Sequence, residues 1–323
     1  MKNLKRLAVL SMCAILLVSA LTGCSGKKKE EFPSQSIRVI VPFAAGGNTD
    51  LNARSIADIV QSNSYLSQPM AVTNINGSNS MEGLTALTTS DADGYSIICQ
   101  NTSYMLAGNA MGTVSINYGD MAPIIEVSTQ PCAITVSADS QFQNIDDVIA
   151  YATEHPGELT IAYVGAGSTT HLAAEIFLEK TGLKDKLKSV SYTSGADALT
   201  AQLGGHCDLR ASTAVDCARY IDSGDLRGIA VTADSEVIDA PSFMDLGYDV
   251  EFMIRQGYFA PKGTPQEVID ALYEAIDKAC ATEEYAQFCQ DNAMNPSNLN
   301  ATDWVAKLDE DMAYMEQIIA GIK

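Results

Sequence analysis

The chain predicts an α/β fold in two domains. Segments with strand character alternate with segments of helical spacing, which implies parallel sheets flanked by helices. The alternation forms two series that part near residue 130. Beyond an N-terminal leader roughly 290 residues remain, enough for two full cores.

The leader has a basic start (Lys2, Lys5, Arg6), an apolar run from Leu7 to Leu21, and the site Leu21-Thr22-Gly23-Cys24. That pattern reads as a lipoprotein signal peptide over residues 1–23, cleaved before Cys24, whose thiol takes the lipid. The apolar run is about 15 residues, short of the roughly 20 that a helix needs to cross a bilayer. An uncleaved anchor is the alternative, and both readings place the rest of the chain outside the cytoplasmic membrane. Residues 24–32, polar and without periodicity after Cys24, read as a tether.

In the first series, Ile37 to Pro42 is a β-branched run, followed by helical spacing from Thr49 to Ser62 with Asn48 or Thr49 as N-cap. Met70 to Asn74 reads as a strand, Ser80 to Thr88 as a helix and Tyr95 to Cys99 as a strand. Pro123 to Val136 holds two strand-like pieces around Thr129-Gln130-Pro131. The second series reads as a helix from Ile145 to Thr153, a strand from Glu158 to Val164 and a helix from Thr170 to Lys180. Val190 to Tyr192 (strand), Ala196 to Leu203 (helix) and Leu226 to Thr232 (strand) follow. Helices close the chain at Pro265 to Thr282, Glu283 to Asp291 and Thr302 to Ile322. The chain is expected to return to its first domain between Tyr248 and Ala260. One domain then comprises 33–128 plus 250–323, the other 129–249.

The chain has 20 Lys+Arg against 40 Asp+Glu, a formal net charge of −20. Loss of Lys2, Lys5 and Arg6 with the leader leaves 17 against 40, or −23. Such a field repels nucleic acid, and an anionic ligand would need strong local donors to overcome it. Of eight cysteines, Cys13 leaves with the leader and Cys24 is lipidated. The other six show no CxxC and no zinc spacing. Their apolar contexts suit buried thiols, with one or two disulfides as the alternative. No metal and no cofactor is expected.

The chemistry concentrates in two similar loops. The first is Val41-Pro42-Phe43-Ala44-Ala45-Gly46-Gly47-Asn48-Thr49-Asp50, and the second is Tyr163-Val164-Gly165-Ala166-Gly167-Ser168-Thr169-Thr170-His171. Each is a strand, a glycine-rich turn and a helix opened by hydroxyl or amide residues. That arrangement sets free N–H groups and the positive end of a helix dipole at the carboxyl edge of a sheet, where open α/β sheets bind ligands. It suits a carboxylate or phosphate without any full positive charge. GxxxxGK[ST] is absent, and Gly165-Ala166-Gly167 lacks the third glycine of GxGxxG.

Catalytic constellations are weak. His155, His171 and His206 are the only histidines. His206-Cys207-Asp208 are neighbours in sequence, which is not a catalytic geometry. His171, in the first turn of a helix, can contact ligand, cap or simply pack. Asp50 can cap its helix or meet an amino group on a ligand. GxSxG and HExxH are absent, so no enzyme is expected.

The chain resembles the substrate-binding proteins of tripartite tricarboxylate transporters, the Bug receptor family. The resemblance rests on Val41 to Arg54, Asp93-Gly94-Tyr95, His155 to Phe177, Tyr192 to Asp208, Gly224 to Thr232 and Phe259 to Pro265, in order along residues 36 to 320. It implies a two-lobed periplasmic-binding-protein fold (type II-like), each lobe a mostly parallel sheet flanked by helices, whose cleft closes on a small organic carboxylate. It further implies a monomeric receptor that hands its ligand to membrane permease subunits; a carboxylate sensor without transport, or a secreted hydrolase using His171 or Cys207, are the alternatives. Carried across position by position, it points to Phe43, Ala44, Gly46, Gly47, Thr49 and Asp50 in the first loop. In the second it points to Gly165, Gly167, Ser168, Thr169 and His171, with Asn74, Asn101, Tyr192 and Asp208 lining the cleft. The family's Arg-Pro-Gly after Asn74 is here Ile75-Asn76-Gly77, and Thr193 stands where Lys is common. Losing both basic residues favours a smaller or less charged ligand than a tricarboxylate.

Overall fold

The computed structural model describes residues 32–165, 167–235 and 237–322. The signal peptide and Cys24 lie outside the described residues. Of the unit Met1–Ser34, only Phe32, Pro33 and Ser34 are described, with a cis Phe32–Pro33 peptide. Gln35–Lys323 is one compact unit.

Its sheet is built outward from two long central strands. β4 (Met121–Ser137) and β9 (Met253–Pro261) pair antiparallel from Met121↔Pro261 to Pro131↔Met253. On one side, β9 carries β3 (Ser96–Asn101), then β1 (Ile37–Val41), then β2 (Met70–Asn74), the last three mutually parallel. On the other, β4 carries β7 (Leu209–Thr213), then β5 (Thr160–Val164), then β6 (Lys188–Tyr192), again mutually parallel. β8 (Leu226–Val231) and the short β10 (Asn295–Pro296) also pair with β4. Each wing is thus a parallel α/β layer, and the antiparallel centre joins them.

β4 is one strand of 17 residues, not the two pieces expected around Pro131. Proline has no N–H to give to a ladder. Here it sits where β4 stops pairing with β9 (Pro131↔Met253) and starts pairing with β7 (Cys132↔Thr213), so the missing donor falls at the handover between wings.

The expected helices form with shifts of a residue or two: α1 (Asn48–Ser62), α2 (Met81–Thr88), α4 (Ile145–Glu154), α5 (Thr169–Lys180), α6 (Gly195–Leu203), α8 (Gln266–Cys280), α9 (Glu283–Asp291) and α10 (Ala301–Ile322). Two more, α3 (Thr102–Met111) and α7 (Ala214–Asp222), and strands β7, β9 and β10 are additions to the sequence reading, which gave the β9 region only as the return to the first domain. α3 is buried on most sides (Thr102, Ser103, Met105, Leu106, Ala107, Gly108), so it shows no single apolar stripe to read. β7 is masked in the sequence by Arg210, a buried arginine inside a strand.

α10 locks onto the centre of the sheet in two ways. Trp304 packs beside Phe259 (ring centroids 4.5 Å apart) and over Gly257, where a side chain would collide with the indole and with the Ile125 carbonyl. Arg255 of β9 donates from Nε to Asp311 Oδ2 of α10 (2.8 Å) and from Nη1 to Glu126 Oε2 of β4 (3.3 Å). Both carboxyls are pushed up by burial, against the attraction of Arg255.

Candidate functional site

A cavity of about 540 Å³ opens at the carboxyl ends of the parallel strands of both wings. That volume is within the range of small-molecule sites. Four helix starts reach it: Gly47-Asn48-Thr49 of α1, Asn101 before α3, Thr169 of α5, and Thr213, Val215 and Asp216 of α7. Its floor includes Gln130 of β4 and Ile254 and Gln256 of β9. Each start follows a parallel strand, directly for α3 and α7 and after a short loop for α1 and α5, so strand direction aims the N–H groups at the same space.

The first loop is shaped from behind. Gly46 takes a left-handed conformation (φ +80°) and donates its N–H to Asp50 Oδ2 at 2.8 Å. Asn74 Nδ2, at the end of β2, donates to Asp50 Oδ1 (2.8 Å) and to the Phe43 carbonyl (3.1 Å). Arg54 completes the frame, donating from Nε to Asp50 Oδ2 at 3.0 Å. Burial opposes ionisation of Asp50, but the hydrogen bonds from Arg54, Gly46 and Asn74 hold its carboxyl below the usual range. Asp50 and Asn74 are therefore scaffolding for the loop and stand outside the cavity lining. Phe43 meets Tyr104 of α3 edge-on, with ring centroids 5.6 Å apart.

The second loop is shaped from within. Ser168 caps α5 by accepting the His171 N–H at 3.2 Å, and its hydroxyl also reaches the Val164 carbonyl. Gly167 (φ +79°) donates its N–H to His171 Nδ1 at 3.0 Å. A side chain on Gly167 would run into Met111. His171 stacks on Tyr163, centroids 4.3 Å apart, and turns Nε2 toward Glu175 Oε1 at 3.7 Å. From this loop Thr169 reaches the cavity lining, while Gly165, Gly167, Ser168 and His171 hold the turn.

His171 gives the loop a pH dependence. Burial lowers its pKa, with Glu175 opposing. Because Nδ1 accepts the Gly167 N–H, protonation would bring two donors face to face and open the turn. A group whose folded pKa is depressed is neutral in the fold, so its contribution is complete above the unfolded value of about 6.5 and is lost as pH falls through the lowered value. Ligand affinity measured by calorimetry over a pH series should fall as pH drops below about 6.5 and through the lowered value, by up to about 1 kcal/mol, one lost hydrogen bond. His171→Asn, which keeps an acceptor, should flatten that difference; an equal drop in the variant would assign it elsewhere.

Phe43, Ala44, Gly46, Gly47, Thr49, Asn101 and Thr169 thus come together around one space. Tyr192 and Asp208 do not join them. Tyr192, at the end of β6, packs against Ala162, Ala201 and Cys207. Asp208 precedes β7 and accepts from the N–H and hydroxyl of Thr160, both at 2.8 Å. It lines a separate hollow with Ser137 and Asp139. Residues before a parallel strand lie at the sheet edge opposite to those after it, which corrects the placement of Asp208 in the cleft.

Asn48, Gln130, Thr213, Asp216 and Gln256 line the cavity without having been expected there. Thr213-x-x-Asp216 is a capping pattern, a local signal of a helix start. Gln130 and Gln256 carry no such signal. Gln256 Oε1 accepts from Asn52 Nδ2 at 2.9 Å, whereas Gln130 Oε1 and both side-chain atoms of Asn48 are buried without a partner.

The described residues form no group of three His, Cys, Asp or Glu able to hold a metal. No described helix is long and apolar enough to cross a membrane. Cys99, Cys132, Cys207, Cys217, Cys280 and Cys289 are all unpaired and buried. Burial pushes the Cys207 thiol up to about 11, the opposite of an activated nucleophile.

A family model described as the tripartite tricarboxylate transporter family receptor matches residues 53–323. Among curated proteins, a UPF0065 protein of Bordetella pertussis is 26% identical over 316 residues, covering 95% of this chain and 96% of that protein. Protein BugT of Bordetella pertussis is 31% identical over 260 residues, covering 77% and 78%. Among solved structures, a TctC solute-binding protein from Polaromonas superposes with a TM-score of 0.79 at 26% identity, covering 90% of this chain and 100% of that one.

Proposed function

Because the chain belongs to the tripartite tricarboxylate transporter receptor family, we propose that it captures a small organic carboxylate in the cavity between its wings and delivers it to membrane permease subunits. The family is one of extracytoplasmic solute-binding receptors. Lipid on Cys24 would tether this receptor to the bilayer through residues 24–32, as one copy per ligand. The two wings, divided as 33–128 plus 250–323 and 129–249, would close as lobes on the bound acid.

One observation carries the reading: the first loop and Thr169 of the second line a single cavity whose lining holds no Lys, Arg or His among the described residues. α1 opens with Gly47 at its N-cap and no side-chain acceptor over its first N–H groups. An anion can meet those donors at hydrogen-bond distance, inside the Debye length of about 8 Å beyond which the acidic surface is largely screened.

Thermal-shift screening against carboxylates, followed by calorimetry on the best acid, tests this. Gly46→Val should lower affinity by about tenfold or more, because φ +80° is strained for a β-branched residue and the turn must reshape. The fold should survive, since Gly46 is exposed and a Cβ there meets nothing within 4 Å. Unchanged affinity would remove the first loop from the site.

A further inference from the structure

The four helix starts around the cavity differ in what they offer. α1 is open to an anion. α3 and α5 are capped by Asn101 and Ser168. α7 has no side-chain cap but sets Asp216 in its first turn, and this is the one ionisable side chain among the described lining residues. Thr213 Oγ1 donates to Asp216 Oδ2 at 2.9 Å. The carboxylate also lies close to Gly195, the first residue of α6, where a Cβ would be 3.5 Å from Oδ2. No Lys, Arg or His forms an ion pair with it among the described residues.

Gln130 adds an independent observation. It is 3% exposed, lines the same cavity, and its Oε1 accepts nothing. Asn48, also in the lining, has both Oδ1 and Nδ2 unpartnered, so it can meet a donor or an acceptor and the demand for a donor rests on Gln130. Buried acceptors left without donors are costly, so the occupant of this cavity should bring donors. A plain dicarboxylate brings none, and its second charge would face Asp216 with no cation in the lining to offset it.

Building on the carboxylate reading, we infer that the ligand carries an ammonium group beside its carboxylate and that Asp216 selects for it. The carboxylate meets the open start of α1; the ammonium meets Asp216, with Gln130 Oε1 and Asn48 Oδ1 as further acceptors. A hydroxyl could satisfy an amide oxygen but not the charge, and a second carboxylate satisfies neither. Asp216 is thus a specificity-determining residue that rewards a zwitterion and rejects a dianion.

The test uses the mature protein and matched four- and six-carbon acids, each as the 2-amino acid, the 2-hydroxy acid, the plain monoacid and the α,ω-diacid. Calorimetry should show the amino acid binding at least tenfold tighter than the monoacid and diacid of the same length. Asp216→Asn should erase that margin and improve diacid binding. Asp216→Ser, which keeps a first-turn acceptor without the charge, should do the same and guards against loss of the Thr213 contact; circular dichroism checks that both fold. Preference for the hydroxy acid or the diacid in the parent protein, or an amino preference that survives both substitutions, overturns the inference and leaves the carboxylate reading standing. No binding by any acid overturns both.

Discussion

Asp50→Ala is expected to weaken ligand binding about thirtyfold to a hundredfold while the protein stays folded. Asp50 is 2% exposed and accepts from the Gly46 N–H, from Asn74 and from Arg54. Its removal leaves the Asn74 amide with the Phe43 carbonyl as its remaining acceptor and frees Gly46 from its left-handed turn, so the N–H groups of the first loop lose their aim. Hydrogen bonds to a charged group contribute roughly 1.5–3 kcal/mol each, and the half-exposed Arg54 is discounted for solvent screening, which leaves about 2–3 kcal/mol for the loop. That converts to the stated range of affinity. Asp50→Asn, which keeps the shape and one acceptor, should fall between parent and alanine. Calorimetry with the best-binding acid, alongside circular dichroism, decides it: a variant that binds as the parent does would show that the loop holds its shape without this frame.

The same residues show what the sequence makes legible. A glycine run between a β-branched strand and a polar-headed helix is a local pattern, and both loops lie where such patterns occur. The roles of Asp50 and His171 stay open in the sequence because they depend on neighbours far along the chain or on which imidazole nitrogen faces inward. Asn74 stands 24 residues from the carboxylate it supports. Gln130 and Gln256 are brought to the same cavity by the antiparallel pairing of β4 with β9 (Gln130↔Ile254, Ser128↔Gln256), between strands more than a hundred residues apart, and nothing local announces it. Asp208, which the resemblance carried into the cleft, lies elsewhere for a directional reason: a matching segment does not tell which end of a parallel strand a side chain occupies.

The long-range centre of the sheet also carries the largest expected effect on stability. Arg255→Met should destabilise the protein by about 3–5 kcal/mol at pH 7, the usual cost of leaving a buried charge without its partner. Glu126 is 1% exposed, and with Arg255 gone only Ser297 Oγ, at 2.7 Å, remains among its side-chain donors in the described residues. Burial already pushes the Glu126 and Asp311 carboxyls up against the pull of Arg255, and the variant removes that pull. A carboxyl with a raised folded pKa binds its proton more tightly in the fold than in the unfolded chain. Its contribution is therefore complete below the unfolded value of about 4 and is lost as pH rises through the folded value. Acid should then rescue the variant: urea unfolding at pH 5 should recover part of the gap to the parent measured at pH 7. Comparing the two proteins at each pH cancels the opposite trend from His171. A gap that is absent at pH 7, or that stays the same at pH 5, would mean that these carboxylates find other partners when Arg255 is lost. Since Ile254 and Gln256 flank Arg255 on β9 and line the cavity, recovery of stability should bring recovery of ligand binding with it.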